Sequence, residues 1–155
     1  MKLAEAVLRR NQHRENVREL HMKLESQLLI PEEEVLEEDS KVLLDRLEEE
    51  MNRYHEMNQC IERAYNNYYV EEGLTLKDLI LERNYWKMRW QKLDSIVAQL
   101  TGRTCAIRDL RYRKEGQSLK KTLQITMVEN QREACKEMYN ALDVRIQEKS
   151  WEIIV

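Results

Sequence analysis

Residues that break helices are scarce in this chain. Its 155 residues include three glycines and one proline, whereas charged residues make up 35%. Sandwiches, barrels and βαβ folds have many turns built on glycine and proline, so this composition argues against them. The length suits one domain. We therefore expect a single domain that is wholly or almost wholly α-helical.

Long apolar runs are also missing. The first ten residues carry four charged side chains, at Lys2, Glu5, Arg9 and Arg10, where a signal peptide would need an apolar run. No stretch approaches the ~18 apolar residues of a membrane span. The three cysteines form no CxxC pair, which fits a reducing compartment. The sequence therefore predicts a cytoplasmic protein without a membrane span.

Four segments carry apolar side chains at alternating spacings of three and four residues, the heptad pattern of helices that pack on one another. The pattern predicts helices over about residues 2–29, 40–68, 75–101 and 127–149. An acidic linker, residues 31–39, separates the first two. We expect the middle two helices, which a short loop joins, to form an antiparallel hairpin. The predicted fold is an antiparallel coiled-coil hairpin or bundle.

Polar residues interrupt two of the heptad rows. In helix 1, Arg10, Arg14 and His21 either extend out to solvent or meet polar groups on another helix. In helix 2, Asn58 either fixes the alignment and number of partners or points sideways. The apolar rows are Leu3, Val7, Val17, Leu20, Leu24 and Leu28 in helix 1, and Leu44, Leu47, Met51, Tyr54, Ile61, Tyr65 and Tyr68 in helix 2.

The last two helices have recognisable starts and ends. Thr75 and Asp78 have the spacing of a capping box, Ser40 is the expected cap of helix 2, and Gly102 suits a helix end. The tryptophans of helix 3 are expected in the core rather than in a stacking platform. The apolar row of helix 3 is Leu79, Trp86, Trp90, Leu93, Val97 and Leu100, with Arg83 as the exception. The apolar row of helix 4 is Val128, Cys135, Met138, Leu142 and Ile146.

Residues 103–125 lose the helical period and predict a short β-hairpin or an irregular segment before the last helix. This segment is also basic, with only Asp109 and Glu115 as acids. It either binds nucleic acid, with Tyr112 stacking on a base, or meets the acidic linker of its own chain or a neighbour. The cations are Arg103, Arg108, Arg111, Arg113, Lys114, Lys120 and Lys121.

The apolar tail, residues 151–155, needs a partner surface because Trp151, Ile153 and Ile154 are too hydrophobic to remain in water. We expect this tail and the interrupted helix 1 to contact other copies of the chain.

Motifs for chemistry are absent. No Glu-x-x-His pair of a diiron bundle, no phosphate-binding glycine loop and no nucleophile elbow occurs, and the acidic linker lacks the spacing of a calcium loop. Cys105 is the one thiol to test for reactivity. The sequence predicts no cofactor, metal site, catalytic residue or small-molecule substrate, and an enzyme is the less favoured class.

Three stretches carry a family resemblance: MKLAEA at the start, GLTLKDLILER at 73–83 and IQEKSW at 146–151. Together they resemble a family of small bacterial helical proteins commonly labelled septicolysin, with departures at Asn84, at Ser150 and around 114–121. The resemblance implies a helical, oligomeric, cytoplasmic protein and no catalytic residues. We therefore predict a non-enzymatic structural or interaction protein that forms homo-oligomers through its helical seams. The alternative is a nucleic-acid-binding protein that uses residues 103–121.

Overall fold

Helices dominate the computed structural model of this protein, which describes residues 1–102 and 120–155. Helix accounts for 77% of it, and this confirms the predicted, nearly all-α fold class. Contacts divide the chain into two compact units, residues 1–76 with 147–155 and residues 77–146. The elements are α1 (Leu3–Gln27), α2 (Ser40–Asn67), β1 (Tyr69–Glu71), β2 (Leu74–Thr75), α3 (Leu76–Leu100) and α4 (Ile125–Glu152).

Local capping explains why the helix bounds lie close to the predicted ones. The cap of α2 is Asp39 rather than Ser40, since the Asp39 carboxylate accepts a hydrogen bond of 2.7 Å from the Lys41 amide. Gly102 follows α3 with a φ of 70°, a left-handed conformation that glycine adopts without strain.

The described strands form a two-stranded antiparallel sheet between α2 and α3, where the sequence predicted only a loop. Tyr69 pairs with Thr75 and Glu71 with Leu74, and Gly73 makes the turn with a φ of 74°. The hairpin or irregular segment predicted before the last helix falls largely on residues 103–119, outside the described ranges. The last helix begins at Ile125, two residues before its predicted start.

Helices α1 and α2 form an antiparallel hairpin within the first unit. The end of α1 lies beside the start of α2, where the Gln27 amide donates a 3.0 Å hydrogen bond to the Ser40 hydroxyl. Leu24, Leu43 and Leu47 form a buried cluster against which Val17 and Leu20 pack. Helix 1 therefore has a partner inside its own chain.

The apolar tail also packs inside the chain. The Leu3 amide donates to the Ile153 carbonyl at 2.9 Å, and the Val155 amide donates to the Met1 carbonyl at 2.9 Å. Ile153 is 7% exposed, whereas Trp151 and Ile154 are 53% and 66% exposed. The tail thus closes over the start of α1 with only one of its large side chains buried.

In the second unit, α3 and α4 meet along the predicted row of α3. Leu79 and Val97 are buried, and Arg83, the polar exception in that row, donates to the Asp143 carboxylate at 2.9 Å. Trp90 stacks on Tyr139 with ring centroids 5.8 Å apart. Tyr139 therefore holds the position predicted for Met138, which is 43% exposed.

Candidate functional site

A polar layer crosses the seam between α1 and α2. The buried or half-buried row of α1 is Leu3, Ala6, Arg10, His13, Val17, Leu20, Leu24 and Gln27, and that of α2 is Leu43, Leu47, Glu50, Tyr54, Met57 and Ile61. Both rows step by alternating three and four residues. Polar members of the two rows meet at His13 and Glu50. Val17 follows His13 in the row of α1, and Leu47 precedes Glu50 in the row of α2.

The Glu50 carboxylate takes donors from both helices. Oε2 accepts hydrogen bonds from His13 Nδ1 at 2.8 Å and from Asn16 Nδ2 at 3.2 Å. Oε1 accepts from Arg53 Nη1 at 3.2 Å. The exposed fractions of the His13 and Glu50 side chains are 20% and 14%, so water has limited access to the pair. An ionised Glu50 makes His13 Nδ1 the protonated ring nitrogen.

Competing effects set the ionisation of Glu50. Burial raises the pKa of the carboxyl group, but the hydrogen bonds from His13 and Asn16 and the charges of His13 and Arg53 outweigh it. The pKa of Glu50 therefore lies below its ordinary value, and the carboxylate form is the stable one at neutral pH.

Two adjoining clefts lie along one side of the hairpin, which we call the groove side. The first, of about 440 Å³, is lined by Asn16, Glu19, Leu20, Lys23, Arg46, Glu49, Glu50 and Arg53. The second, of about 250 Å³, is lined by Met1, His13, Arg53, Glu56, Met57, Cys60 and Val155. Arg53 lines both clefts.

The bases of the first cleft are already paired. Arg53 binds Glu49 and Glu50, while Lys23 and Arg46 both bind Glu38. The hydrogen bond from Lys23 lowers the pKa of Glu38 against a smaller effect of burial. Each base of this cleft thus has an acidic partner within the chain, so the cleft presents no unpaired base to an anion. In residues 1–102 and 120–155, no group of His, Cys, Asp and Glu side chains could hold a metal ion.

The opposite side of the hairpin, which we call the open side, carries three of the residues singled out from sequence. Arg14 is exposed, His21 is 57% exposed in its side chain and binds Glu25, and Asn58 is half-buried. Arg14 and His21 belong to the row of α1 next to the seam. Asn58 belongs to the corresponding row of α2, which also contains Leu44 and Met51, 38% and 43% exposed. The structure does not bring these residues to the polar layer. Arg10, in contrast, lies in the seam, half-buried, and donates to Asn11.

The predicted anion-binding set is only partly described. Lys120 and Lys121 are exposed, whereas Arg103, Arg108, Arg111, Arg113 and Lys114 lie outside the described residues, as does Cys105. Of the other two thiols, Cys135 is buried and Cys60 partly buried. No helix in the described ranges is long and apolar enough to cross a membrane.

Sequence reasoning missed His13 and Glu50. The signal was present, because both residues fall in rows of alternating three and four spacing. Polar side chains at those positions made the neighbouring row, with Leu44 and Met51, the more apolar choice.

The fold and the polar layer define a protein of paired antiparallel helices. By sequence, the chain belongs to a family of unknown function (DUF6847), whose model matches residues 10–155. The chain is similar to a solved structure described as a functionally unknown conserved protein from Corynebacterium diphtheriae. The two chains are 25% identical, the alignment covers 98% of this chain and 96% of that one, and the TM-score is 0.82. No curated protein matches the chain.

Proposed function

We propose that this protein is a non-enzymatic interaction protein that assembles with copies of itself through its helices. The observation that carries the proposal is a pair of exposed apolar residues on the open side of the α1–α2 hairpin, in the row of α2 that also contains Asn58. Leu44 and Met51 repeat every seven residues along α2 and stay 38% and 43% exposed. Leu28, at the end of α1, is 59% exposed on the same side.

Two paired helices cannot cover an apolar stripe of this width. Each helix buries the two rows that face its partner, and here those rows are filled by residues such as Leu43 and Leu47, 0% and 6% exposed. The open-side row is the third, and a third apolar row is typical of helices that contact more than one neighbour. Exposed apolar rows of this kind mark interaction surfaces.

The polar layer supports a structural role more than a catalytic one. Three donors from the chain itself already bind the Glu50 carboxylate. A carboxylate and an imidazole that bind each other across a seam favour one alignment of the two helices, because sliding would separate them. The resemblance to the septicolysin-labelled family stays a prediction and points to the same class of helical, oligomeric protein.

The mass in solution tests the proposal. Light scattering behind size exclusion at micromolar concentration should give a multiple of the 18.8 kDa chain mass. Replacing Leu44 and Met51 together by lysine should shift the protein towards the mass of one chain, because the charged heads cannot be buried in the contact. The matched control is Val42→Lys, since Val42 is 48% exposed but lies on the groove side of α2. A wild-type protein that stays a monomer would contradict the proposal.

A further inference from the structure

The open side of the hairpin is bordered by an outer row on each helix, and both rows contain charged residues. On α1 the outer row is Ala4, Asn11, Arg18 and Glu25, and on α2 it is Lys41, Glu48, His55 and Glu62. Both rows repeat every seven residues. The side chains of Arg18, Glu25 and Lys41 are 64%, 61% and 72% exposed, and Glu48 is also exposed.

Contacts across the hairpin establish which residues lie at the same height. Asn16 lies level with Glu50, to which it donates at 3.2 Å, and Gln27 lies level with Ser40. Antiparallel helices have the same rise in opposite directions. Arg18 is therefore level with Glu48, and Glu25 is approximately level with Lys41. At these two heights the two edges of the open side thus carry opposite charges.

This arrangement makes the open side complementary to itself. A two-fold axis parallel to the helices keeps every residue at its height and places α1 of one copy over α2 of the other. Arg18 then faces Glu48 of the second copy, and Glu25 faces Lys41 of the second copy. Each contact occurs twice in the pair. The rows between the charged edges carry Leu44 and Met51 on α2 and Arg14 and His21 on α1.

We infer that the open side binds the open side of a second copy about such an axis, with α1 of each copy packed on α2 of the other. The inference rests on the proposed function and identifies the partner surface. The charges already have partners within their own helices, Glu15 for Arg18, His21 for Glu25 and Asp45 for Lys41. Such exposed pairs contribute little to stability, so they leave the side chains able to bind across the contact.

Charge reversal tests the two-fold arrangement. In Arg18→Glu alone, the introduced carboxylate would face Glu48 of the second copy, and in Glu48→Lys alone, the introduced ammonium group would face Arg18. Each variant places like charges together twice, and its dimer dissociation constant should rise about tenfold at low salt. Mixing the two variants should restore a dimer of higher affinity that contains one chain of each kind, because one of its two contacts then joins the two reversed charges and the other keeps the native pair.

The mixture distinguishes contacts between copies from contacts within one chain. Arg9→Glu and Glu56→Lys are the matched controls, since both residues are exposed and lie on the groove side, and neither should change the dissociation constant. Sedimentation equilibrium with one variant labelled measures the mixed pair. If the wild type associates but the mixture does not recover, the two-fold arrangement is wrong and the proposed self-assembly stands. If the wild type is a monomer, both are wrong.

Discussion

Replacing Glu50 by leucine should destabilise the α1–α2 hairpin by about 2–3 kcal/mol. The substitution removes the acceptor of His13 and Asn16 and leaves their donors against an apolar side chain. A hydrogen bond to a charged group contributes about 1.5–3 kcal/mol, and leaving a buried donor unpaired costs a similar amount. Solvent reduces these values, because His13 is 20% exposed, and Arg53 keeps its contact with Glu49.

The companion substitution makes the prediction specific to the pair. His13→Leu alone should also be destabilising, since it leaves Glu50 with fewer donors in a half-buried position. The double variant, with leucine at both positions, should recover most of the loss, because two apolar side chains that can pack on each other replace a polar pair. We expect a coupling free energy of about 2 kcal/mol between the two sites.

Urea unfolding followed by circular dichroism measures the three variants and the wild type at one protein concentration. A loss of about 2–3 kcal/mol corresponds to a decrease of roughly 5–10 °C in Tm for a chain of this length. Glu56→Leu serves as the control, since Glu56 is an exposed carboxylate of the same helix. Additive effects of the two single substitutions would refute the reasoning, because they would mean that His13 and Glu50 do not stabilise each other.

Two further predictions concern pH and the tail. The pKa of Glu50 is lowered from 4.5 in the folded chain. Unfolding therefore takes up a proton, and the free energy of unfolding falls as the pH drops through the folded-state pKa. Unfolding midpoints measured between about pH 3 and 6 should depend less on pH in Glu50→Gln than in the wild type. Ile153→Ala should lower the free energy of unfolding by about 2–4 kcal/mol, because Ile153 is 7% exposed. Ile154→Ala, at a position 66% exposed, should lower it by less than about 1 kcal/mol. Equal losses of stability in thermal unfolding would show that the tail does not close over α1.

In the helices of the second unit, the spacing of apolar residues predicted most of the buried row. In α3 the predicted row from Leu79 to Leu100 is the observed one, including its exception Arg83, which binds Asp143. In α4, Met138 and Tyr139 are adjacent and both apolar. Tyr139 is the residue that packs on Trp90, and the spacing of apolar residues alone does not distinguish it from Met138.

In α1 and α2 the same ambiguity hid the candidate site. A heptad seam consists of two neighbouring rows. In each of these helices the sequence identified one row of the seam, and the row on either side of it could have been the second. The more apolar companion, with Leu44 and Met51, was the reasonable choice from sequence. The structure instead buries the row with Leu43 and Glu50, because Glu50 has His13 opposite it as a partner.

The sequence by itself determined that the chain is helical and, to within a few residues, where each described helix begins and ends. Those properties depend on local chemistry: the scarcity of glycine and proline, the capping residues and the spacing of apolar side chains. Only the tertiary structure decided which face of each helix became the seam, and with it the polar layer and the open side. The physical reason is that a polar side chain belongs in a seam only when a partner on another helix binds it, and that partner lies 37 positions away along the chain.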